Sequence, residues 1–248
     1  MSRPTTATIH IDALRHNLAR VRQLAPHSKV MAVVKADGYG HGLERVAHAL
    51  EGADAFGVAA LSDAERLRAA GLSNRIVLLS GFDEPADLAQ LRRLGVDTVV
   101  HHESQLAMLE AAERAGSERA LGTDLTKRVS GSDLNPSPMP AAPEVPKIRC
   151  WLKLDTGMHR LGFPAARAGA AFMRLRALAS VSDDITLMTH FASSDEFDGA
   201  QTASQLHAFE RAVDGLPGVA SLSNSAAVLG WPQAHRGWVR AGGALYGL

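Results

Sequence analysis

Eight short β-branched or apolar runs, most of them separated by stretches of helical period, constrain this chain more than any other feature. The runs are Val30–Val34, Ala55–Ala59, Arg75–Leu79, Thr98–Val100, Arg149–Leu154, Thr186–Thr189, Ala220–Leu222 and Trp238–Arg240. Between them, apolar residues recur every three or four positions over Ser62–Ala70, Pro85–Leu94, Glu103–Ala115, Ala165–Leu178 and Gln201–Val213, as on amphipathic helices. Ser62 and Ser104 read as helix starts, and Gly71, Gly95 and Gly116 as stops. Strands alternating with helices pair in parallel, because parallel neighbours need crossovers of this length. About eight such units predict an α/β fold of the (β/α)8 TIM type, with an open doubly wound sheet as the alternative. Helix Asp12–Leu24 precedes the first run and is placed to cover the position of a missing last helix.

A chain of 248 residues buries a sizeable core in one domain, and residues 1–248 are read as one. One segment, Gly116–Lys147, breaks the alternation: it is rich in Pro, Ser and Gly and is expected to be a flexible inserted loop. Lys+Arg and Asp+Glu balance at 26 each, so no bulk positive field favours nucleic acid or an anionic membrane. Cys150 is the single cysteine, which excludes an internal disulfide. The first residues lack the apolar stretch of a signal peptide, and no apolar run is long enough to span a bilayer, so the expected location is cytoplasmic.

In a barrel of this type the reactive groups gather at the C-terminal ends of the strands. Polar clusters fall at those ends: Lys35, "KLDTGMHRLGF" (153–163), "MTHFASSDE" (188–196), "SLSNSAAVLG" (221–230) and "VRAGGALYGL" (239–248). A partly desolvated strand-end lysine can lose basicity and form a Schiff base with an aldehyde. Pyridoxal phosphate asks for such a lysine, donors for its phosphate, a partner for its ring nitrogen and a wall for its ring. Gly242 and Gly243 allow close backbone approach to a phosphate, and Asn224-Ser225 can open a helix whose N-terminus favours an anion. Arg240 is a permanent cation available to the ring nitrogen, and His190 can flank the ring or bond Arg240. Blander readings stand beside these: a core histidine, a salt-bridged arginine, glycines that only turn the chain. Lys153 is expected to face inward, where an unpaired charge is costly, so it needs either a partner, for which Arg160 and Asp155 are available, or a modification. Ser225 lacks a GxSxG elbow, no His/Cys spacing matches a zinc site, and "DGYGHG" matches neither a dinucleotide fingerprint nor a Walker A loop.

The ordered set "IDALRHNL", "AVVKADGYGHG", "WLKLDTGMHRLGF", "MTHFASSDE", "SLSNSAA" and "VRAGGALYGL" resembles the alanine racemase family over nearly the whole chain outside Gly116–Lys147. The resemblance implies a pyridoxal-phosphate enzyme that interconverts L- and D-alanine, the latter for the bacterial cell wall. It implies that Lys35 carries the cofactor and acts as base on one face of the α-carbon. Tyr39, Asn224, Ser225, Gly242 and Gly243 would then hold the phosphate, Arg240 the ring nitrogen, and His190 the ring side. Lys153 resembles a lysine often carbamylated in the family, and Arg160 the arginine it orients. The family also implies a homodimer and a C-terminal β-domain whose tyrosine is the second base. Tyr39 and Tyr246, the two tyrosines here, leave no counterpart for that base, so these residues alone are expected to racemise alanine poorly. A pyridoxal-phosphate-binding protein without racemase activity, and an amino-acid decarboxylase on a related barrel, are the alternatives.

Overall fold

The structure, a computed structural model, describes residues 6–129 and 146–248. Its strands are β1 (Lys29–Val33), β2 (Ala55–Val58), β3 (Arg75–Leu78), β4 (Val96–Val100), β5 (Cys150–Asp155), β6 (Phe163–Pro164), β7 (Thr186–Met188), β8 (Val219–Ser221) and β9 (Trp238–Ala241). All pair in parallel in the order β4-β3-β2-β1-β9-β8-β7-β5, and β4 pairs with β5 to close the ring. Closure excludes the open sheet and gives a (β/α)8 barrel. The eight expected runs are the eight barrel strands. The extra β6 only returns the chain beside β5, pairing Leu154 with Phe163.

Helices α1 (Ile11–Leu24), α2 (Lys35–Tyr39), α3 (Leu43–Ala49), α4 (Leu61–Ala69), α5 (Asp87–Leu94), α6 (Glu103–Val129), α7 (Ala168–Arg176), α8 (Ala200–Val213), α9 (Ser225–Gly230) and α10 (Gly243–Tyr246) lie outside the sheet or at its mouth. α1 packs against α3, α9 and α10, beside β1, so it does cover the seam next to the four-residue α10. Asn17 fastens it there by donating to the Leu245 carbonyl at 3.0 Å. No described helix is long and apolar enough to cross a membrane.

Several boundaries differ from the sequence reading. α6 runs through Gly116 to Val129, so neither a stop at Gly116 nor a loop beginning there is correct. Residues 130–145 of the expected insertion lie outside the described residues. Neither serine caps its helix: Ala60 is the N-cap of α4, and Ser104 lies within α6. Gly95 does terminate α5, in a left-handed conformation at φ +60°.

Strand side chains alternate between two buried faces, as both sides of a parallel barrel require. On β1, Val30 and Ala32 join the layer under the helices, whereas Met31 and Val33 face inward with Ala55, Val77, Val99, Trp151, Met188 and Trp238. The N-terminal end of the barrel is plugged by Asp97, 1% exposed. Its carboxylate accepts from Arg75, from Arg149 Nε at 2.8 Å and from Trp151 Nε1 at 3.0 Å. With that end filled by charge pairs and indole rings, the cavity described below opens at the C-terminal mouth.

Candidate active site

The inward parity of each strand, carried one step beyond the packed core, delivers the reactive side chains. Lys35 follows Val33 by two residues, Lys153 follows Trp151, His190 follows Met188, and Arg240 follows Trp238. All four line one cavity of about 270 Å³, together with Tyr39, Arg160, Asn224, Ser225 and Gly242. Gly243 opens α10 instead and does not line it.

Arg240 is 4% exposed. Nη1 donates to the Ser221 carbonyl (2.9 Å) and hydroxyl (2.7 Å), while Nη2 donates to the carbonyls of Thr189 (2.8 Å) and Leu222 (3.1 Å). Burial lowers its pKa to about 10, so it stays a cation at neutral pH. It has no carboxylate partner among the described residues. Nη2 also lies 3.4 Å from His190 Nδ1. Burial first, then Arg240, Lys153, Arg160 and Lys35, hold the His190 pKa down at about 3, so its imidazole is neutral. The salt-bridged-arginine and isolated core-histidine readings are thereby replaced by an arginine–histidine pair facing the cavity.

Lys153 is 7% exposed and faces inward, as its parity requires. Burial, then the charges of Arg240 and Arg160, lower its pKa to about 8. Asp155 is not its partner. Its Oδ1 accepts the backbone N–H groups of Gly157, Met158 and His159 at 3.0–3.1 Å, and its Oδ2 lies 3.2 Å from His159 Nδ1. The carboxylate thus shapes the loop that carries Arg160. That loop closes at Gly162, φ +137°, where a Cβ would lie 2.5 Å from the Asp155 amide nitrogen.

Lys35 departs from expectation in two respects. It is exposed, so the described residues do not supply the desolvation that its strand-end position suggested. It also opens a left-handed turn, not a plain glycine loop: Ala36, Asp37, Gly38 and Tyr39 have φ between +53° and +63°. Non-glycine residues in that region cost roughly 1–2 kcal/mol each, so other contacts must impose it. Asp37 Oδ1 accepts the Leu43 N–H at 3.1 Å and Arg66 Nη2 at 3.0 Å, and His41 Nδ1 sits 2.9 Å from the Tyr39 carbonyl. The turn presents the Tyr39 ring to Tyr246, stacked at 4.6 Å, and its hydroxyl to Gly242. A Cβ on Gly242 would come within 2.4 Å of that hydroxyl. Opposite, Ser225 Oγ accepts the N–H groups of Gly242 (2.9 Å) and Ala244 (3.2 Å), and Asn224 caps α9 by accepting from Ala227. Tyr39, Ser225 and the Gly242 backbone therefore form a hydroxyl-lined cradle kept open by a missing side chain, suited to a phosphate.

Sequence reasoning missed the groups that grip these residues: Tyr246 on Tyr39, Ser221 on Arg240, and Arg66 on the Lys35 turn. None carries a local signal, since each acts across the fold. The described lining contains four cationic side chains, Lys35, Lys153, Arg160 and Arg240, and no carboxylate. Such a cavity takes anions.

Fold and site together define a parallel barrel with a cationic cavity at its C-terminal mouth, built around a lysine and a buried arginine–histidine pair. The family model described as "Alanine racemase, N-terminal domain" matches residues 9–248. Alanine racemase of Shewanella loihica is 48% identical over 98% of this chain, and that of Shewanella denitrificans 47%. The crystal structure of the biosynthetic alanine racemase from Pseudomonas aeruginosa superposes with a TM-score of 0.82 at 38% identity, covering 99% of this chain. The chain belongs to the alanine racemase family, as a match to its N-terminal domain. It spans 59% of the Shewanella loihica protein and 60% of the Pseudomonas aeruginosa chain.

Proposed function

We propose that this chain binds pyridoxal 5′-phosphate in the cationic cavity and serves the interconversion of L- and D-alanine. The observation that carries the reading is the lining itself: four cations, a neutral histidine and a hydroxyl-lined cradle, with no described carboxylate to repel an anionic cofactor or an amino-acid carboxylate. Bound there, pyridoxal phosphate supplies an aldehyde for an amine to attack and a conjugated ring that withdraws electrons from an amino acid's α-carbon.

The chain's own residues divide the remaining work. Lys35 Nζ is the amine that holds the cofactor and the base that takes or returns a proton on one face of the α-carbon. Tyr39, Ser225 and the Gly242 backbone hold the phosphate, and Asn224 fixes Ser225 by capping α9. Arg240, locked by its carbonyl partners, meets the ring nitrogen as a donor that cannot give up its charge at neutral pH, which limits electron withdrawal. His190, neutral and paired with Arg240, stands beside the ring. Arg160 receives the substrate carboxylate. Carbamylation of Lys153 belongs to the same reading: a buried ammonium without a carboxylate partner becomes an anion that can face Arg160. So does assembly with a second copy of the chain.

The test begins with adding pyridoxal phosphate to the protein. An absorbance band near the visible edge is expected and should be lost in Lys35→Ala. Conversion of L-alanine to its enantiomer, followed by chiral chromatography, tests the activity. A band that survives Lys35→Ala, or no binding at all, overturns the reading.

A further inference from the structure

Helix α8 supplies none of the cavity's lining, yet two glutamines one turn apart on it each grip the same pair of loops. One loop follows β5 and carries Arg160; the other follows β7 and carries His190. Gln205 is 1% exposed. Its Oε1 accepts the Ala192 N–H at 2.9 Å, and its Nε2 donates to the His190 carbonyl at 3.2 Å and to Thr156 Oγ1 at 3.5 Å. Gln201, exposed and one turn earlier, accepts from Ser193 Oγ at 2.8 Å and donates to the Gly157 carbonyl at 3.4 Å.

The directions of these bonds are fixed by chemistry. Thr189, 0% exposed, donates its hydroxyl proton to the Leu154 carbonyl at 3.0 Å. The Thr156 hydroxyl, 2.8 Å away, must then be the donor to Thr189, which leaves its oxygen to accept from Gln205. A one-way chain results: Gln205 amide to Thr156 to Thr189 to the β5 backbone. The Thr189 carbonyl also holds Arg240. A leucine or methionine of the same size would fill the space of Gln205 and remove its three bonds to the two loops. Buried amides that find all their partners specify one arrangement, because any slip leaves a desolvated group unpaired.

We infer that Gln205, seconded by Gln201, is a positioning residue that ties the Arg160 loop to the end of β7, which bears His190 and holds Arg240 through the Thr189 carbonyl. It touches neither cofactor nor substrate in the functional reading on which this inference rests. It acts by keeping the two loops from moving independently.

The experiment compares Gln205→Leu, Thr156→Val and the control Phe209→Leu. Phe209 lies on the same helix, is 2% exposed and makes no polar bond to either loop. Hydrogen exchange is measured across 154–163 and 188–194, and pyridoxal-phosphate affinity by absorbance titration. Gln205→Leu is expected to speed exchange in both loops together and to weaken cofactor binding about 3- to 10-fold. Thr156→Val, which cuts the chain from the loop side without touching the helix, is expected to do the same. The double variant should be no worse than the stronger single. Phe209→Leu, at a comparable loss of melting temperature, should leave both readouts near wild type. Loosening of one loop only, additive losses, or equal effects in the control overturn the inference. If wild-type protein binds no pyridoxal phosphate, the functional reading fails, and the exchange measurement alone still decides the brace.

Discussion

Arg240 Nη2 lies 3.4 Å from His190 Nδ1, and this contact sets the guanidinium beside the imidazole. A guanidinium can only donate, and the two protons of Nη2 go first to the Thr189 and Leu222 carbonyls, so any bond to Nδ1 shares one of them. Because Arg240 is pinned to three backbone carbonyls, it cannot follow the histidine if the latter moves. The pair is therefore a fixed feature of the site.

Acid should attack this pair before it attacks the barrel. The His190 pKa is lowered from 6.5 to about 3, so the unfolded chain binds the extra proton first. The linked stability is fully present above about pH 6.5 and is lost as pH falls toward 3. Subtracting the urea-melt stability of His190→Gln from that of wild type should leave a difference rising with pH across that window. A flat difference would show that His190 is solvated or charged in the native state.

Lys153 gives the opposite end of the profile. Its pKa is lowered from 10.5 to about 8, so the unfolded chain again holds the proton longer, and stability rises as pH climbs between those values. The full gap corresponds to roughly 3 kcal/mol, absent in Lys153→Met. Bicarbonate should abolish the slope if the carbamate forms, since no ammonium then remains to titrate. An equal slope in Lys153→Met would assign it to another group.

Gly242→Ala should harm the cradle through contact. The new methyl would stand 2.4 Å from the Tyr39 hydroxyl and push the ring off its stack with Tyr246. Pyridoxal-phosphate affinity is expected to drop about 10-fold or more. Adding Tyr39→Phe, which removes the clashing oxygen, should restore part of the melting temperature lost in Gly242→Ala. Absence of any such recovery would place the clash elsewhere.

At the other end of the barrel, Asp97→Ala leaves Arg75 and Arg149 without their shared carboxylate and the Trp151 indole N–H without an acceptor. Removing one partner of a buried ion pair typically costs about 3–5 kcal/mol. Urea unfolding should show that loss. Cofactor affinity in the folded fraction should stay near wild type, because the plug and the cavity occupy opposite ends. A large affinity loss would mean that the plug sets the geometry of the mouth.

The sequence by itself determined the strands and the inner face of the barrel. Runs such as Val30–Val34 and Trp238–Arg240 carry their period locally, and a period of two sends Lys153, His190 and Arg240 inward once their neighbours are core residues. Those assignments need no knowledge of distant parts of the chain. Closure needed the tertiary structure, because β4 meets β5 only after the intervening segment returns, and no local pattern distinguishes a closed ring from an open sheet. The same is true of partner choice. Asp155 sits two residues from Lys153 yet spends one oxygen on three backbone N–H groups of its own loop and the other on the His159 ring. Glycine spacing announced a turn after Lys35, but its left hand is imposed by Arg66 and Leu43, which lie outside the motif. Gln205 looks like any helical glutamine until the fold buries it between two loops. Local periodicity encodes which way a side chain faces; what it meets there is decided by residues brought from elsewhere in the chain, where burial makes every unpaired polar group costly.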